Sequence, residues 1–369
     1  MIIYWSMFGV ILLFSLIGYF NKKPVLVEGR LRYKENAVWA LLPMIYIIFW
    51  TGMRNSFVDT ASYISSYNSI PTGGFSAIEV YMQDIEDDRG FYLFSAVFKN
   101  FISDNYHWWL FFIAAVSGLC VFHAIRKHSD NMGFSLYLFM SMGLVVNLLN
   151  GIRQFLVVSI LFALSDWLLD KRKRWLYLVV LILLSTFHSS ALFALPFFVI
   201  AAFSKPWDKR MVAFIVVMCI GVIYADEFMD IMTDTVASDY ADTLGQSGGS
   251  GIIRTVVAFI PPIIAFWKRK VIASYNDHYI NICINFSVVS ALIYLMSSFT
   301  DGILVGRMPI YFNIFNIILL PWLLNNCFVK QEKQLIMAIC IGCYIIYFYY
   351  QSCIAGSWYY SSDFTGLIT

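Results

Sequence analysis

The chain has 369 residues, of which 60% are hydrophobic and only 13% charged, with a formal net charge of +2. A soluble domain carries about 25% charged residues, so a typical cytosolic enzyme, a disordered chain and a disulfide-stapled secreted module are excluded. The solvent for such a surface is a bilayer, and the near-neutral charge gives no bulk attraction to nucleic acid.

Taken in chain order, the apolar runs read as twelve membrane spans, at 2–20, 37–53, 106–125, 132–149, 152–169, 175–188, 190–203, 211–225, 252–267, 279–299, 303–324 and 334–352. Residues 2–20 are too long for the apolar core of a cleavable signal and no small-residue cleavage site follows, so they read as a span. Six basic clusters punctuate the runs: Lys22, Lys23, Arg30, Arg32 and Lys34; Arg126 and Lys127; Lys171 to Arg174; Lys205, Lys209 and Arg210; Lys268 to Lys270; and Lys330 and Lys333. They hold 19 of the 25 Lys and Arg residues. The positive-inside rule puts all six in the cytoplasm, which leaves both termini outside.

The two large outer loops this predicts, 54–90 and 226–251, carry six acids each, against two arginines in the first and no base in the second. Residues 90–102 would reach only about 20 Å as a helix, against about 30 Å of hydrocarbon, and read as an amphipathic helix on the outer face. Residues 175–203 lie between two basic clusters and must go in and return as a short hairpin tipped by Phe187-His188-Ser189-Ser190. One tilted helix of 29 residues is the alternative. The stretch Gly245 to Gly251 reads as a flexible connector or a lid. All seven cysteines read as small packing residues, Cys340-x-x-Cys343 having no partner pair.

The basic residues left outside are Arg54, Arg89, Lys99, Arg153, Arg254 and Arg307. An arginine at membrane depth is costly unless it faces a cavity or a partner, and its planar fork fits phosphate. Each could pair with an acid such as Asp59 or Asp301, but several on one face point to an anionic ligand. Asn150, Arg153 and Gln154 are spaced to share one helix face, with Asn147 nearby, and Tyr311 lies one turn beyond Arg307. His188 is the one histidine placed at depth. It reads either as a proton-transfer group or as a histidine satisfied by a carbonyl. The tryptophan and tyrosine pairs fit an interfacial belt, and Asp84 to Asp88 a solvated acidic run. No Gly-rich phosphate loop, G-x-S-x-G or H-E-x-x-H occurs.

Arg54-x4-Asp59-Thr60-x2-Tyr63, Asp88-x-Gly90-Phe91, Ile152-Arg153-Gln154-x-Leu156 and Phe187-His188-Ser189-Ser190-Ala191-Leu192, in this order over residues 40–200, resemble the EpsG family among the Wzy-type bacterial polysaccharide polymerases. Gly306-Arg307 with Tyr311 extends the likeness. Asp88 stands where the family commonly has Glu, and Val157 where it commonly has Ala. The resemblance implies an all-α, polytopic, single-domain enzyme of GT-C-like architecture in the bacterial cytoplasmic membrane. It would join repeat units of an exopolysaccharide, capsule or O-antigen on the outer face. Both substrates would be linked to undecaprenyl pyrophosphate, with a flippase and a chain-length regulator as candidate partners and no metal or cofactor. The catalytic candidates are His188, Arg153 and Asp59. The substrate-binding candidates are Arg54, Asp88, Arg89, Asn150, Gln154, Arg307 and Tyr311. A neutral imidazole suits a general base. Asp59 is the rival base, or orients Arg54 through a salt bridge. A glycan ligase, a lipid-linked oligosaccharide flippase and a membrane O-acyltransferase are the competing readings. A flippase calls for charge through the midplane and two related halves, and neither is visible. An O-acyltransferase calls for a cytoplasmic-side histidine.

Overall fold

The computed structural model describes residues 1–27, 30–224, 251–299, 303–356 and 358–368. The loop at 226–251 lies outside the described residues apart from Gly251, as do Asp301 and the rest of the glycine-rich stretch 245–251.

The first elements are α1 (Ile2–Phe20), an antiparallel hairpin of β1 (Lys23–Val27) and β2 (Arg30–Lys34), and α2 (Val38–Gly52). Then come α3 (Thr60–Ser69), α4 (Phe75–Gln83), α5 (Arg89–Phe101), α6 (Tyr106–His128), α7 (Met132–Ser141), α8 (Leu144–Leu149) and α9 (Ile152–Ala163). They are followed by α10 (Arg174–Ser185), α11 (Ser190–Phe203), α12 (Lys209–Ile223), α13 (Ile252–Trp267), α14 (Arg269–Tyr275) and α15 (His278–Ser297). Three short helices, α16 (Ile303–Arg307), α17 (Ile310–Asn313) and α18 (Asn316–Asn326), precede α19 (Lys330–Tyr349), which continues as a π-turn to Ala355. Two-residue strands at Ser361–Ser362 and Leu367–Ile368 follow.

Among the described residues, α1, α6, α15 and Lys330–Ala355 are each long and apolar enough to cross a membrane. Val305–Asn313 with Asn316–Asn326 makes a fifth crossing if a 46° bend is counted within one span. Shorter apolar helices of 10–17 residues, among them α2, α9, α10 and α11, accompany them. The protein is thus an all-α, multi-pass membrane protein, with only small strand pairs added.

Several runs expected to be continuous are broken, each for a local reason. The run 132–149 breaks at Gly143, which is left-handed at φ +77°. The run 303–324 breaks at Met308-Pro309, where proline cannot extend the preceding helix. Between α10 and α11 the hydroxyls of Ser185 and Thr186 bond back to Ile182 O and Leu183 O, at 2.6 and 2.7 Å. Such bonds compete with the helical ladder, and the single 29-residue helix does not form. The segment 54–90, read as a loop, contains α3 and α4, and the basic segment after α1 is a hairpin.

By contacts the chain forms two compact units. The first comprises residues 1–165, 177–192 and 329–369. In it α2 packs along α6 at a distance only glycine permits, since a Cβ at Gly52 would lie 2.6 Å from Phe111 Cα. Small residues let membrane helices approach in this way. α3, α4 and α5 form a cap on α6 and α9. They share a core of Tyr67, Ile78, Phe91, Phe98, Trp109 and Ile152. The amphipathic character expected of 90–102 is present in α5, and its apolar face packs on α6 through Phe94–Phe112 and Phe98–Phe112 ring contacts.

The segment 358–368 returns to the corner after α2. Ser361 N donates to Ser56 O and Asn55 N to Ser361 O, Tyr360 Oη donates to Trp50 O at 2.7 Å, and Ser362 Oγ donates to Met53 O. Tyr4, in the first turn of α1, meets Trp358 there at a ring separation of 6.0 Å. At the other end of α1, about 28 Å away by helical rise, Lys22 and Arg126 line one cavity with Glu35 and Asp130. The first two basic clusters therefore share one end of the unit.

The second unit comprises residues 166–176 and 193–328 and is built around α15. Phe286 packs on Phe198, Phe312 and Phe315. Asn285 Nδ2 donates to the carbonyls of Ala201 and Ser204, both at 2.8 Å, at the end of α11.

Candidate functional site

Three elements of the first unit converge at the start of α5. Asp88 is the N-cap residue of that helix, left-handed at φ +47°, yet its side chain makes no capping bond to α5. An aspartate in this position ordinarily caps its own helix. Here Oδ2 accepts from Arg153 Nη1 at 2.8 Å and lies 3.2 Å from His188 Nδ1. Oδ1 accepts from the backbone N–H of Ser189 at 3.0 Å. The carboxylate thus caps the start of α11 from a distance and holds both an arginine and a histidine. Its side chain is only 6% exposed, whereas those of Arg153 and His188 retain 28% and 17%. With Asp88 accepting the Nδ1 proton, the imidazole Nε2 is left as a proton acceptor. The sequence marked Asp88 as a substrate ligand; the structure turns its carboxylate to Arg153 and His188.

Gly90 makes the convergence possible. Its N–H donates to Thr186 O at 2.8 Å, and a Cβ on it would lie 2.3 Å from Thr186 Oγ1 and 3.0 Å from the Phe187 ring. Gly90→Ala is therefore expected to push the 186–189 turn off α5 and lower stability by about 1–3 kcal/mol. Thermal unfolding of the purified full chain in detergent measures this, and an unchanged midpoint would show that the turn is not held there.

A second group lies at the corner between α2 and α3. Asp59 N–H donates to Asn150 Oδ1 at 2.9 Å, and Asn150 Nδ2 donates back to Asp59 Oδ2 at 3.1 Å. Val58, just before it, is left-handed at φ +42°, a strained conformation for a β-branched residue. Arg54 is 1% exposed. Its Nε donates to Thr60 Oγ1 at 3.1 Å and its Nη1 to Thr51 O, while Nη2 is buried with no partner. Burial pushes its pKa down to about 10, opposed by the nearby Tyr63 and Tyr360, so it stays charged at neutral pH. The salt bridge considered between Arg54 and Asp59 is not made, because Asp59 is turned to Asn150. Nor does Arg54 open to the surface.

The other candidates separate. Asn150 sits in the break before α9, not on it, so the three polar residues present no common face: Asn150 goes to Asp59, Arg153 to Asp88, and Gln154 Nε2 to Ser190 Oγ at 3.3 Å. Arg89 is exposed and reaches only Met82 O, at 3.3 Å. In the second unit Arg307, at the end of α16, is exposed, and Tyr311, in α17, is buried. The Met308-Pro309 break means that they do not share a helix face. Among the described residues no three His, Cys, Asp or Glu side chains group as a metal site.

Arg153 also lines a cleft of about 200 Å³ with Tyr63 and Tyr92, its guanidinium 5.8 Å from the Tyr92 ring centroid. The arrangement offers a proton acceptor oriented by a carboxylate, beside a guanidinium with donors to spare. Sequence spacing could not pair Asp88 with His188, a hundred residues on, nor Asp59 with Asn150. The only signal was that each stands in or beside one of the ordered motifs.

No curated protein and no solved structure matches this chain. The model of the EpsG family matches residues 38–362, which carries the resemblance from the first half over nearly the whole chain and through Arg307 and Tyr311. The chain therefore belongs to the EpsG family, a family of Wzy-type polysaccharide polymerases.

Proposed function

We propose that this protein polymerises undecaprenyl-pyrophosphate-linked oligosaccharide repeat units by inverting glycosyl transfer. It does so on the outer side of the bacterial cytoplasmic membrane, in a twelve-span, GT-C-like domain. The observation that carries this reading is the Asp88 carboxylate shared by Arg153 and His188. The acceptor hydroxyl gives its proton to His188 Nε2 as its oxygen attacks the anomeric carbon of the donor. The bond from that carbon to pyrophosphate breaks, and the lipid pyrophosphate leaves with the electron pair. Asp88 fixes the imidazole and offsets the imidazolium charge, as orienting carboxylates do. Arg153 stabilises the charge growing on the leaving pyrophosphate. Arg54, being buried, acts at one remove by holding the corner that carries Asp59. The outward location rests on the charge of the loops, with the basic clusters inside.

Deletion of the gene, followed by analysis of lipid-linked glycans, tests the reading. Single repeat units are expected to accumulate on the outer face. Units stranded on the inner face would indicate a flippase instead, and long chains left on their lipid a ligase.

A further inference from the structure

The cleft that shares Arg153 has mixed walls, in which hydroxyl and aromatic side chains stand beside the apolar Ile70 and Phe91. α3 contributes Ser62, Tyr63 and Ser66, and α5 contributes Tyr92. Ser62 and Ser66 are four residues apart, as are Tyr63 and Tyr67, so a hydroxyl stripe and an aromatic stripe run side by side on one face of α3. The floor is rigid. Tyr67 stacks on Trp109 with centroids 4.6 Å apart, and their polar atoms are already used: Tyr67 Oη donates to Ser103 O at 2.6 Å and Trp109 Nε1 to Ser95 Oγ at 3.2 Å. The rim is not used in this way. The side-chain hydroxyls of Ser62, Ser66 and Tyr92 make no hydrogen bond to another described residue.

Three ligand chemistries can be weighed against these walls. A polyprenyl chain would strand the rim hydroxyls and the Arg153 guanidinium in hydrocarbon, and unpaired polar groups are costly there. A pyrophosphate would find one cation, already bonded to Asp88 through Nη1. A sugar ring has an apolar C–H face and a rim of hydroxyls. Its face suits the aromatic wall, and its rim suits the free serines, Tyr92 and the remaining arginine N–H groups. The volume, about 200 Å³, falls below the roughly 300–1,000 Å³ of sites for larger ligands and suits a single ring.

We infer that the cleft between α3 and α5 is a saccharide subsite that holds one sugar ring of the acceptor repeat unit. The assignment to acceptor rests on the polymerase reading above: the cleft and the proposed base are joined through Arg153, and the base must meet the acceptor hydroxyl. The subsite itself rests on the walls.

The test uses the full chain in lipid nanodiscs. Ser66→Cys places a thiol on the cleft wall, and its labelling by a maleimide is read by peptide mass spectrometry, which separates it from the seven native cysteines. One probe is the undecaprenyl-pyrophosphate-linked repeat unit extracted from the producing cell, and the other is undecaprenyl pyrophosphate without sugar. With probe at about ten times its Kd, the first is expected to slow labelling about tenfold and the second to leave it unchanged. Adding Tyr63→Ala is expected to remove most of the protection. Equal slowing by both probes would hand the cleft to the pyrophosphate, and no slowing by either would leave it without a substrate; each overturns the inference. If the wild-type protein makes no polymer from the same unit, the polymerase reading falls, and the labelling still decides the cleft.

Discussion

His188→Gln is expected to abolish polymer while leaving the protein in the membrane at its normal level. Glutamine keeps a side chain able to hydrogen-bond to Asp88, so the turn after α10 stays capped by the Asp88–Ser189 bond. It cannot take a proton at neutral pH. A positioned general base contributes about 10²–10⁴-fold, and a loss in this range converts chains into single units. Asp88→Asn should lose turnover by a comparable factor, since an amide can accept from Arg153 or from the imidazole but places a donor against the other. Asp59→Asn should weaken binding more than turnover, because Asp59 is tied to Asn150 rather than to the Asp88 cluster. Measuring chain length and rate with the purified protein separates these outcomes. Long chains from the His188 variant would dismiss the histidine and move the base to Asp59.

Arg153→Lys comes next, with an expected loss of about 3 kcal/mol, or about a hundredfold in kcat, the usual cost of removing one charge-stabilising donor from a dry site. A lysine can satisfy Asp88 as a compact cation. It cannot bond Asp88 with one nitrogen and present further coplanar donors to a second ligand, which is what the Arg153 fork offers. The ion pair alone therefore predicts a mild effect, and a shared guanidinium predicts a severe one. Polymerisation at the wild-type rate would reduce Arg153 to a counter-ion of Asp88.

Much of the fold could be read from hydropathy and charge, because a bilayer imposes long apolar runs and sorts Lys and Arg by side. The expected ends of α1, α2, α11, α13 and α15 fall within a residue or two of those observed. What hydropathy could not supply was the interior of 54–90, where α3 and α4 form a soluble-type cap with short-range patterns, and the strand alternation between α1 and α2. Breaks at Gly143 and Pro309 were visible as residue types but not as structural decisions, since both residues also occur inside membrane helices. For the site, the motifs named Asp88, Arg153 and His188, and the structure joins Arg153 and His188 through the Asp88 carboxylate. Their roles were harder. Arg54 reads from sequence as an outer-face substrate ligand and is buried. Asp88 reads as a substrate ligand at the end of a run of four acids and is the hub, a fact carried by a left-handed backbone angle that no spacing encodes.

The strap formed by residues 358–368 has a consequence for biogenesis. The corner after α2 is inserted early, but the partner of Trp50 O is Tyr360 Oη, 310 residues later. Until that partner has been translated, the carbonyls of Trp50 and Met53 lack these donors. Contacts of such sequence separation form late, because the intervening chain must be closed first. A nascent polypeptide can thus thread every earlier helix into the bilayer and still lack a finished corner after α2, which ties that corner to translation of residues 358–368 rather than to insertion.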